Sequence, residues 1–280
     1  MASQSTAIDF GAALHEARQA RRLQQQGAPG GLFKLRLGGV RRVEGIGDVS
    51  YGDGVLSPAD GRRLADDLAN LDGWTQLRGR RLLSLGGTPH PEGAWLTPLP
   101  PALRTLADQL APLLRGRPDQ ALVNAYRPGQ GISAHNDGPL YEPYVAIISL
   151  ESSALFEFVG AETDLLLLVN SVVVFSGAAY EDCAHRVTDS VADGPFRPPG
   201  GAEKSGFERA TEIANFEHVA KTIDASQPKP RAARRLSVTF RRLKHVARTL
   251  DETDVALLSQ DDRAELDRRA AWWARSINDG

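Results

Sequence analysis

The chain has 280 residues, 41% of them hydrophobic, which is enough to bury a core without a partner. Its 33 Lys and Arg residues against 35 Asp and Glu residues give a formal net charge of -2, so no global basic field recruits a polyanion. The single cysteine, Cys183, excludes an intramolecular disulfide framework and a cysteine-rich zinc module, and is typical of a reducing compartment.

Residues 1–48 are expected to form an N-terminal segment, partly disordered or a frayed helix, that precedes the main domain and contains the linker "GAPGG". The segment lacks the apolar core of a secretory signal, and Asp9 and Glu16 make it a poor transit peptide. No apolar run in the sequence is long enough to span a bilayer. We therefore expect an intracellular protein of the nucleus or cytoplasm, a monomer without membrane contact.

Two helices are predicted next, because apolar residues recur there at helical spacing. The first begins at Ser57, has Pro58 in its first helical position and stops near Gly73. The second lies in "PLPPALRTLADQLAPLLRG" and ends at Gly116. We expect both helices to pack on a sheet.

From Ala121 onward the pattern changes to short β-rich runs separated by Gly, Pro, Asp and Ser. The runs are "ALVNAY", "YVAIISL", "ALFEFVG", "LLLLVNSVVVFSG", "AHRVTD" and "RLSVTFRRL". Many short strands after two helices favour an antiparallel sandwich or jelly roll over a doubly wound fold. The predicted fold class is therefore mainly β with flanking α-helices (α+β), and the domain is expected to span residues 49–247.

Two further segments are predicted to lie outside the strands. Residues 192–233 are polar and rich in Pro and Gly, so we expect a surface insertion with one short helix. Residues 248–280 are expected to end in a helix capped by Ser259 that docks on the domain and carries no chemistry. Its apolar face would consist of Leu266, Ala270, Trp273 and Ile277.

A metal site is suggested by "SAHND", because side chains two apart on a strand project from one face. His135 and Asp137 could then share one ion, and a second histidine would complete a two-histidine, one-carboxylate site with an open face. His185 is the best placed candidate, since it begins the predicted returning strand "HRVTD". The alternatives are a polar loop edge for the first pair and a surface histidine beside Asp182 for His185.

An anion site is suggested by "RRLSVTFRR", where Leu236, Val238 and Phe240 alternate with polar residues. The polar face would carry Arg235, Ser237, Thr239 and Arg241. Buried guanidinium groups need an anion, and a dicarboxylic acid would fit. The alternative is an edge strand with its arginines in water, and the two arginines would lie about 20 Å apart along the strand.

These residues, in type and order, resemble the AlkB-type Fe(II)/2-oxoglutarate-dependent dioxygenases. The motifs are His135-x-Asp137, the distal His185 and Arg235-x5-Arg241, preceded by Asn124-x-Tyr126. The stretches "GWTQLRGRRLLSLGGTPHPEG", "LVNAYRPGQGISAHNDGPLYEPYVAIISL" and "RLSVTFRR" resemble in particular the branch that contains the sixth human AlkB homologue. The resemblance runs from about residue 49 to residue 246 without the polar insertion.

The resemblance implies a double-stranded β-helix, that is, a jelly roll, with Fe(II), 2-oxoglutarate and O2 as cofactor and cosubstrates. The implied iron ligands are His135, Asp137 and His185. Asn124 and Tyr126 would hydrogen-bond the 2-oxoglutarate. Arg235 would pair with its distal carboxylate, Ser237 would support that arginine, and Arg241 would lie nearer the metal. The implied reaction is hydroxylation of a C–H bond, which at an N-methyl group releases formaldehyde and the demethylated amine.

The family also implies a lid before the core that grips a nucleic-acid strand, here residues 74–95. Arg78, Arg80 and Arg81 could meet phosphates of single-stranded nucleic acid or transfer RNA, and His90 or Trp95 could stack on an extruded base. The lid could equally be packed to the core by its tryptophan, with solvated arginines. Where the bacterial archetype has an acidic residue after the His-x-Asp motif, this chain has "GPLY", which disfavours alkylated-base repair.

The basic run "KPRAARR" could be an electrostatic footprint, a localisation signal or a solvated linker. Two other classes of function stay open. A zinc-dependent hydrolase could use the same three ligands, but it would not need Arg235. A nucleic-acid or protein binding module could keep a residual metal site.

Overall fold

The computed structural model describes residues 33–200 and 210–278, with side chains as far as Trp273. The predicted N-terminal helix and its linker lie outside these residues. Phe33 and Leu35 are 6% and 7% exposed and pack in the core. The domain was expected to start at residue 49, but residues packed in its core are found from Phe33 onward.

The larger sheet has eight strands. In chain order they are β1 (Arg41–Arg42), β2 (Asp48–Gly52), β3 (Thr75–Gln76), β4 (Arg81–Gly86), β6 (Gln120–Tyr126), β8 (Tyr144–Leu150), β11 (Val172–Ser176) and β17 (Arg235–Arg241). All pair antiparallel, in the spatial order β1-β2-β11-β8-β17-β6-β4-β3. Strands β6 and β17 are buried along their whole length, which matches their β-rich sequences.

The smaller sheet has four strands: β7 (Ile132–His135), β9 (Ala154–Phe158), β10 (Leu165–Leu167) and β12 (His185–Val187). Their spatial order is β10-β9-β12-β7, again antiparallel. From β6 to β17 the chain passes repeatedly between the two sheets, and each sheet receives four core strands. This is the topology of a jelly roll, which confirms the predicted fold class.

The two sheets pack face to face over an apolar interior. Ile147 and Phe175 of the larger sheet belong to one buried cluster with Phe156, Leu165 and Val187 of the smaller sheet. The aromatic rings are in contact, since those of Phe156 and Phe175 have centroids 6.2 Å apart. One mouth of this interior contains the polar site described below.

Two helices cover the opposite face of the larger sheet, as the sequence predicts. Helix α1 (Pro58–Ala69) begins at Ser57, whose side chain accepts a hydrogen bond from the Asp60 N–H at 3.1 Å. Helix α2 is Pro101–Leu110. Both end several residues before the glycines that were expected to stop them. Their leucines share a core with the outer side chains of β6 and β17.

The region expected to be a polar surface insertion has an apolar side. Helix α3 (Gly177–Glu181) precedes this region. The region itself contains β13 (Ala192–Asp193), β14 (Phe196–Arg197), β15 (Thr211–Glu212), α4 (Phe216–Ala220) and β16 (Lys229–Pro230). Phe196, Ile213 and Val219 pack against Leu166 on the outer face of the smaller sheet and against Leu168, which follows β10. The buried residues are spaced irregularly among polar ones, so the sequence carries no periodic signal for this contact.

The C-terminal region returns to the domain. Strand β18 (Val246–Thr249) pairs parallel with β5 (Ala94–Leu96), and helices α5 (Glu252–Leu257) and α6 (Gln260–Asn278) follow. Ser259 accepts a hydrogen bond from the Asp262 N–H at 3.1 Å, as its predicted capping role requires. Among the described residues, none of the helices has the length and apolar character needed to cross a bilayer.

Candidate metal centre and its pocket

Three predicted ligand residues meet at one end of the jelly roll. His135 is the last residue of β7, His185 is the first of β12, and the two are paired in register across the strands. Their rings have centroids 4.5 Å apart. Asp137 lies just beyond the end of β7, and one ligand atom from each of the three residues lies within 4.8 Å of the others. The strand pairing therefore gathers residues that are 50 positions apart into one possible metal site.

Both histidines are held in the neutral form that binds a metal. Burial lowers the pKa of His185 to about 4, although the nearby Asp137 opposes this. Burial also lowers the pKa of His135, whose Nδ1 lies 2.9 Å from the carbonyl oxygen of Ser133. That contact places the proton on Nδ1 and leaves Nε2 as the lone-pair donor.

The donor set fits a metal ion better than it fits an empty protein interior. His185 is 4% exposed, and its Nδ1 has no hydrogen-bond partner among the described residues. Asp137 is ion-paired to Arg241, yet neither of its buried oxygens meets the geometry of a hydrogen bond. Orphaned polar atoms of this kind are costly unless something binds them. Two imidazoles and one carboxylate suit Fe(II) and also Zn(II).

Next to this cluster, four predicted cosubstrate residues lie on paired strands. In the β6/β17 pair, Tyr126 is opposite Arg235, and Asn124 is opposite Ser237. All four line a pocket of about 430 Å³ that also contains His135, Asp137 and His185. The Arg235 guanidinium lies over the ring of Tyr126, 5.4 Å from its centroid. Residues more than 100 positions apart in the chain thus become direct neighbours.

Arg235 is the most unusual group in the pocket. It is 2% exposed, and Nη2 donates to the hydroxyl of Ser149 at 3.1 Å, but Nε and Nη1 have no partner among the described residues. Within the described residues it forms no ion pair with a carboxylate. Burial lowers its pKa to about 10, which still leaves it charged at neutral pH. A buried cation with two unused donors is a binding site for an anion.

Arg241 lies at the other end of the strand, against the metal cluster. It is 7% exposed, pairs with Asp137 and lies over the ring of Tyr141, 4.9 Å from its centroid. Burial alone would lower the pKa of Arg241, but the neighbouring Asp137 and Tyr141 raise it overall. The two arginines, far apart on the strand, line one pocket from opposite ends.

The predicted lid arginines have three different environments. Arg80 turns into the pocket, where its Nε donates to the Oδ1 of Asn124 at 2.9 Å. Arg81 lies over Trp74 at 4.9 Å, and Trp74 packs on the core. Arg78 lines a neighbouring groove of about 640 Å³. The lid is therefore packed to the core by its tryptophan, and one of its arginines belongs to the site itself.

The two aromatic residues proposed for base stacking have other partners. His90 is 5% exposed and packs edge to face on Trp272 of α6, with centroids 5.2 Å apart. Trp95 packs with Leu250 and Val255 of the C-terminal region. Helix α6 also reaches the pocket, which Trp272 and Trp273 help to line, and no pattern in the sequence predicts this. The expectation that this helix only docks is corrected: its tryptophans lie too far along the chain for any local pattern to connect them with the site.

The basic run before β17 is neither a solvated linker nor a free cationic patch. Arg231 is 7% exposed and makes two hydrogen bonds to the carboxylate of Asp193, at 2.6 and 2.7 Å. Arg234 makes two bonds of 2.6 Å to Glu151. No local pattern in the sequence predicts these two ion pairs, because the partners of Arg231 and Arg234 lie 38 and 83 positions away.

Comparisons with known proteins match the same region. The family model described as the 2OG-Fe(II) oxygenase superfamily matches residues 73–241, more than half of the chain. That range contains every candidate ligand of the metal and the cosubstrate. The C-terminal helix α6 lies beyond it.

The protein named "Probable RNA/DNA demethylase ALKBH6" from Danio rerio is 43% identical over 88 residues, which are 30% of this chain and 38% of that protein. Among solved structures, OsALKBH1 is 16% identical with a TM-score of 0.41, covering 72% of this chain and 99% of that one. An oxidoreductase of the 2OG-Fe(II) oxygenase family from Burkholderia pseudomallei is 12% identical with a TM-score of 0.43, covering 83% of this chain and 93% of that one.

Proposed function

This chain belongs to the 2OG-Fe(II) oxygenase superfamily, and we propose that it is an AlkB-type dioxygenase that hydroxylates or oxidatively demethylates N-alkylated nucleic acid. The observation that carries the proposal is the combination found in one pocket. A His, Asp, His cluster that could hold iron shares about 430 Å³ with a buried arginine that has no carboxylate partner among the described residues. A zinc hydrolase would use the cluster but would have no use for that arginine.

In this proposal, His135, Asp137 and His185 hold Fe(II). Once Fe(II) and 2-oxoglutarate are bound, the family's chemistry couples the conversion of 2-oxoglutarate and O2 to succinate and CO2 with hydroxylation of a substrate C–H bond. At an N-methyl group the hydroxylated product separates into formaldehyde and the demethylated amine.

The residues of this chain bind, orient and exclude water. Arg235 pairs with the distal carboxylate of 2-oxoglutarate, because it is a buried cation whose Nε and Nη1 donors are unused within the described residues. Ser237 and Tyr126 lie beside that guanidinium in the β6/β17 pair. Asn124 is oriented by the hydrogen bond that it accepts from Arg80. Arg241 keeps the Asp137 carboxylate paired and fixed in place.

A nucleic-acid substrate is supported by the surroundings of the pocket. The groove beside it shares Arg80 and Ser133 with the pocket and adds Arg78, which forms no ion pair within the described part of the chain. Cationic groups in a groove beside the active site suit a phosphate backbone. The zebrafish relative is named as an RNA/DNA demethylase. A monomer acting in the nucleus or cytoplasm would suit such a substrate.

The proposal is tested by a succinate-release screen with Fe(II), 2-oxoglutarate and O2. The substrates are methylated single-stranded DNA, transfer RNA and histone peptides, and Asp137→Ala is the blank. We expect succinate and formaldehyde from wild type with a methylated nucleic acid and none from the blank. An equal signal from Asp137→Ala would refute the metal site, and release with peptides alone would refute the substrate class.

A further inference from the structure

Helix α6 forms part of the wall of the active-site pocket, although it lies outside the residues that match the family. Trp272 and Trp273 line the same cavity of about 430 Å³ as the metal cluster. Trp273 is 9% exposed and packs on Leu82 of β4 and Leu122 of β6. Those leucines also line the pocket, so the helix closes its apolar side.

The helix is fixed in this position by the segment between β4 and β5. Arg268 pairs with Glu92 at 2.7 Å. Arg269 is 6% exposed and donates to the carbonyl oxygen of Gly93. The buried ring of His90 packs on Trp272, with ring centroids 5.2 Å apart. These contacts hold the two indoles in place before any substrate arrives, which lowers the entropic cost of binding to them.

The two indoles differ in how they can act. Trp273 is almost fully buried against the two leucines, whereas Trp272 is half-buried and remains reachable from the pocket. An indole offers a large flat π surface, and stacking of one base on an aromatic side chain contributes about 1–3 kcal/mol. A flat conjugated group is therefore the chemistry that this wall recognises best.

The charge of the pocket separates two kinds of methylated substrate. Aromatic walls bind bases by stacking, but they also bind methylated ammonium groups. The charged residues that line the pocket are three arginines, Arg80, Arg235 and Arg241, and one acid, Asp137. Bound Fe(II) and 2-oxoglutarate would add opposite charges of equal size, so the excess of positive charge persists. It disfavours a cationic methylammonium and favours an uncharged base on an anionic backbone.

We propose that helix α6 completes the active site, with Trp272 as a stacking surface for an uncharged nucleobase of a single strand and Trp273 as the positioning residue that holds it. This inference rests on the proposed dioxygenase function, which supplies the reaction at the base. It adds a substrate-contacting element that the matched family region does not contain.

The test compares Trp272→Ala, Trp272→Leu and Trp272→Phe with Asp267→Ala, a control on an exposed position of the same helix. Binding of a labelled single-stranded oligonucleotide containing N6-methyladenine is measured by fluorescence anisotropy, without O2, on the protein loaded with Fe(II) and 2-oxoglutarate. Oligonucleotide KM, 2-oxoglutarate KM and succinate release without substrate are measured in parallel. Circular dichroism and thermal unfolding identify variants that do not fold.

We expect Trp272→Ala and Trp272→Leu to weaken oligonucleotide binding and raise its KM about tenfold, as loss of one stacking contact predicts. Trp272→Phe should recover most of the affinity because it keeps a π face. Asp267→Ala, outside the pocket, should keep the wild-type oligonucleotide KM, 2-oxoglutarate KM and succinate release without substrate. Trp273→Phe should raise the oligonucleotide KM with kcat little changed, as a positioning role requires.

Full affinity in Trp272→Leu would overturn the stacking role, since leucine is apolar but has no π face. Turnover of a trimethyl-lysine peptide by wild type, with no binding of the oligonucleotide, would overturn the assignment of a nucleobase as the group that Trp272 binds. Failure of the proposed function itself has a different signature: wild type and Asp267→Ala would both release no succinate.

Discussion

Arg231 and Arg235 are only four residues apart and both buried, yet their surroundings are opposite. Arg231, at the foot of the insertion, has its charge matched by Asp193 and also donates to the backbone oxygen of Thr188 at 2.6 Å. Within the described residues, the Arg235 guanidinium in the pocket makes one hydrogen bond, to Ser149, and its Nε and Nη1 have no partner. A structural arginine receives its anion from its own chain. An arginine left without one is prepared for an anion from outside.

The largest effect is expected from removal of the structural arginine, Arg231. Arg231→Met would leave the Asp193 carboxylate, whose side chain is 1% exposed, without its cation. Loss of one partner of a buried pair costs on the order of 3–5 kcal/mol, so we expect a fall of that size in the free energy of unfolding. Urea unfolding measures it. Because Arg231 is outside the pocket lining, the protein that remains folded should keep its KM for 2-oxoglutarate.

A fall in the free energy of unfolding of less than about 1 kcal/mol, the value typical of exposed pairs, would mean that the Arg231 and Asp193 pair is not a structural contact. Arg234→Met is the matched control. Arg234 pairs with Glu151, but its side chain is 40% exposed, and we expect a change of about 1 kcal/mol or less.

The second prediction reverses the pattern at Arg235. Arg235→Leu removes a buried cation that has no carboxylate partner among the described residues, so the stability of the protein without ligands should be unchanged or higher. The KM for 2-oxoglutarate should rise about 100-fold, because removing one partner of a buried charge pair costs on the order of 2–5 kcal/mol. Thermal unfolding with and without 2-oxoglutarate, together with steady-state kinetics, separates the two effects.

If Arg235→Leu instead destabilises the ligand-free protein as strongly as Arg231→Met does, then Arg235 is structural and the contrast fails. Arg235→Lys separates the contribution of the charge from that of the planar guanidinium. Lysine keeps the charge but loses the planar fork, so its 2-oxoglutarate KM should lie between those of wild type and leucine.

The smallest predicted effect concerns a half-buried acid, Asp119, that forms no ion pair with an arginine in the described part of the chain. Asp119 accepts a hydrogen bond from the Leu243 N–H at 3.0 Å, and burial raises its pKa to about 6 from a usual 3.8. The folded state therefore holds a proton that the unfolded state has lost between pH 4 and 6. The cost of burying the charge is full above pH 6 and disappears as the pH falls towards 4.

Asp119→Asn keeps the acceptor oxygen and removes the charge. We expect it to raise the melting temperature at pH 7 by a few degrees and to leave it unchanged at pH 4. A melting temperature below that of wild type at both pH values would show that the carboxylate is stabilising, against this account.

The sequence predicted what depends on local pattern. The cap at Ser57 needs only its neighbours, and the strands of the jelly roll appear as short β-rich runs. His135 and Asp137 were found by their spacing. His185 was chosen because it begins a predicted returning strand, and the cosubstrate roles of Asn124 and Tyr126 came only from the family resemblance. The pairing of Asn124 with Ser237 was not predicted, because nothing in a single strand reveals its neighbour in a sheet.

Contacts between distant segments were not predictable. Arg231 appeared as part of a linker because its partner Asp193 lies 38 positions away in another polar stretch. Trp272 appeared as part of a docking helix because its contact with His90 depends on how the end of the chain returns to the domain. In both cases tertiary packing gave a residue a role that its sequence neighbours do not signal.

The most direct test of the account is an anaerobic titration of the Fe(II)-loaded protein with 2-oxoglutarate, followed by visible absorption. We predict a saturable charge-transfer band in wild type, a shift of its midpoint to about 100-fold higher 2-oxoglutarate in Arg235→Leu, and no band in Asp137→Ala. A folded wild-type protein that develops no band would contradict the proposed metal and cosubstrate site.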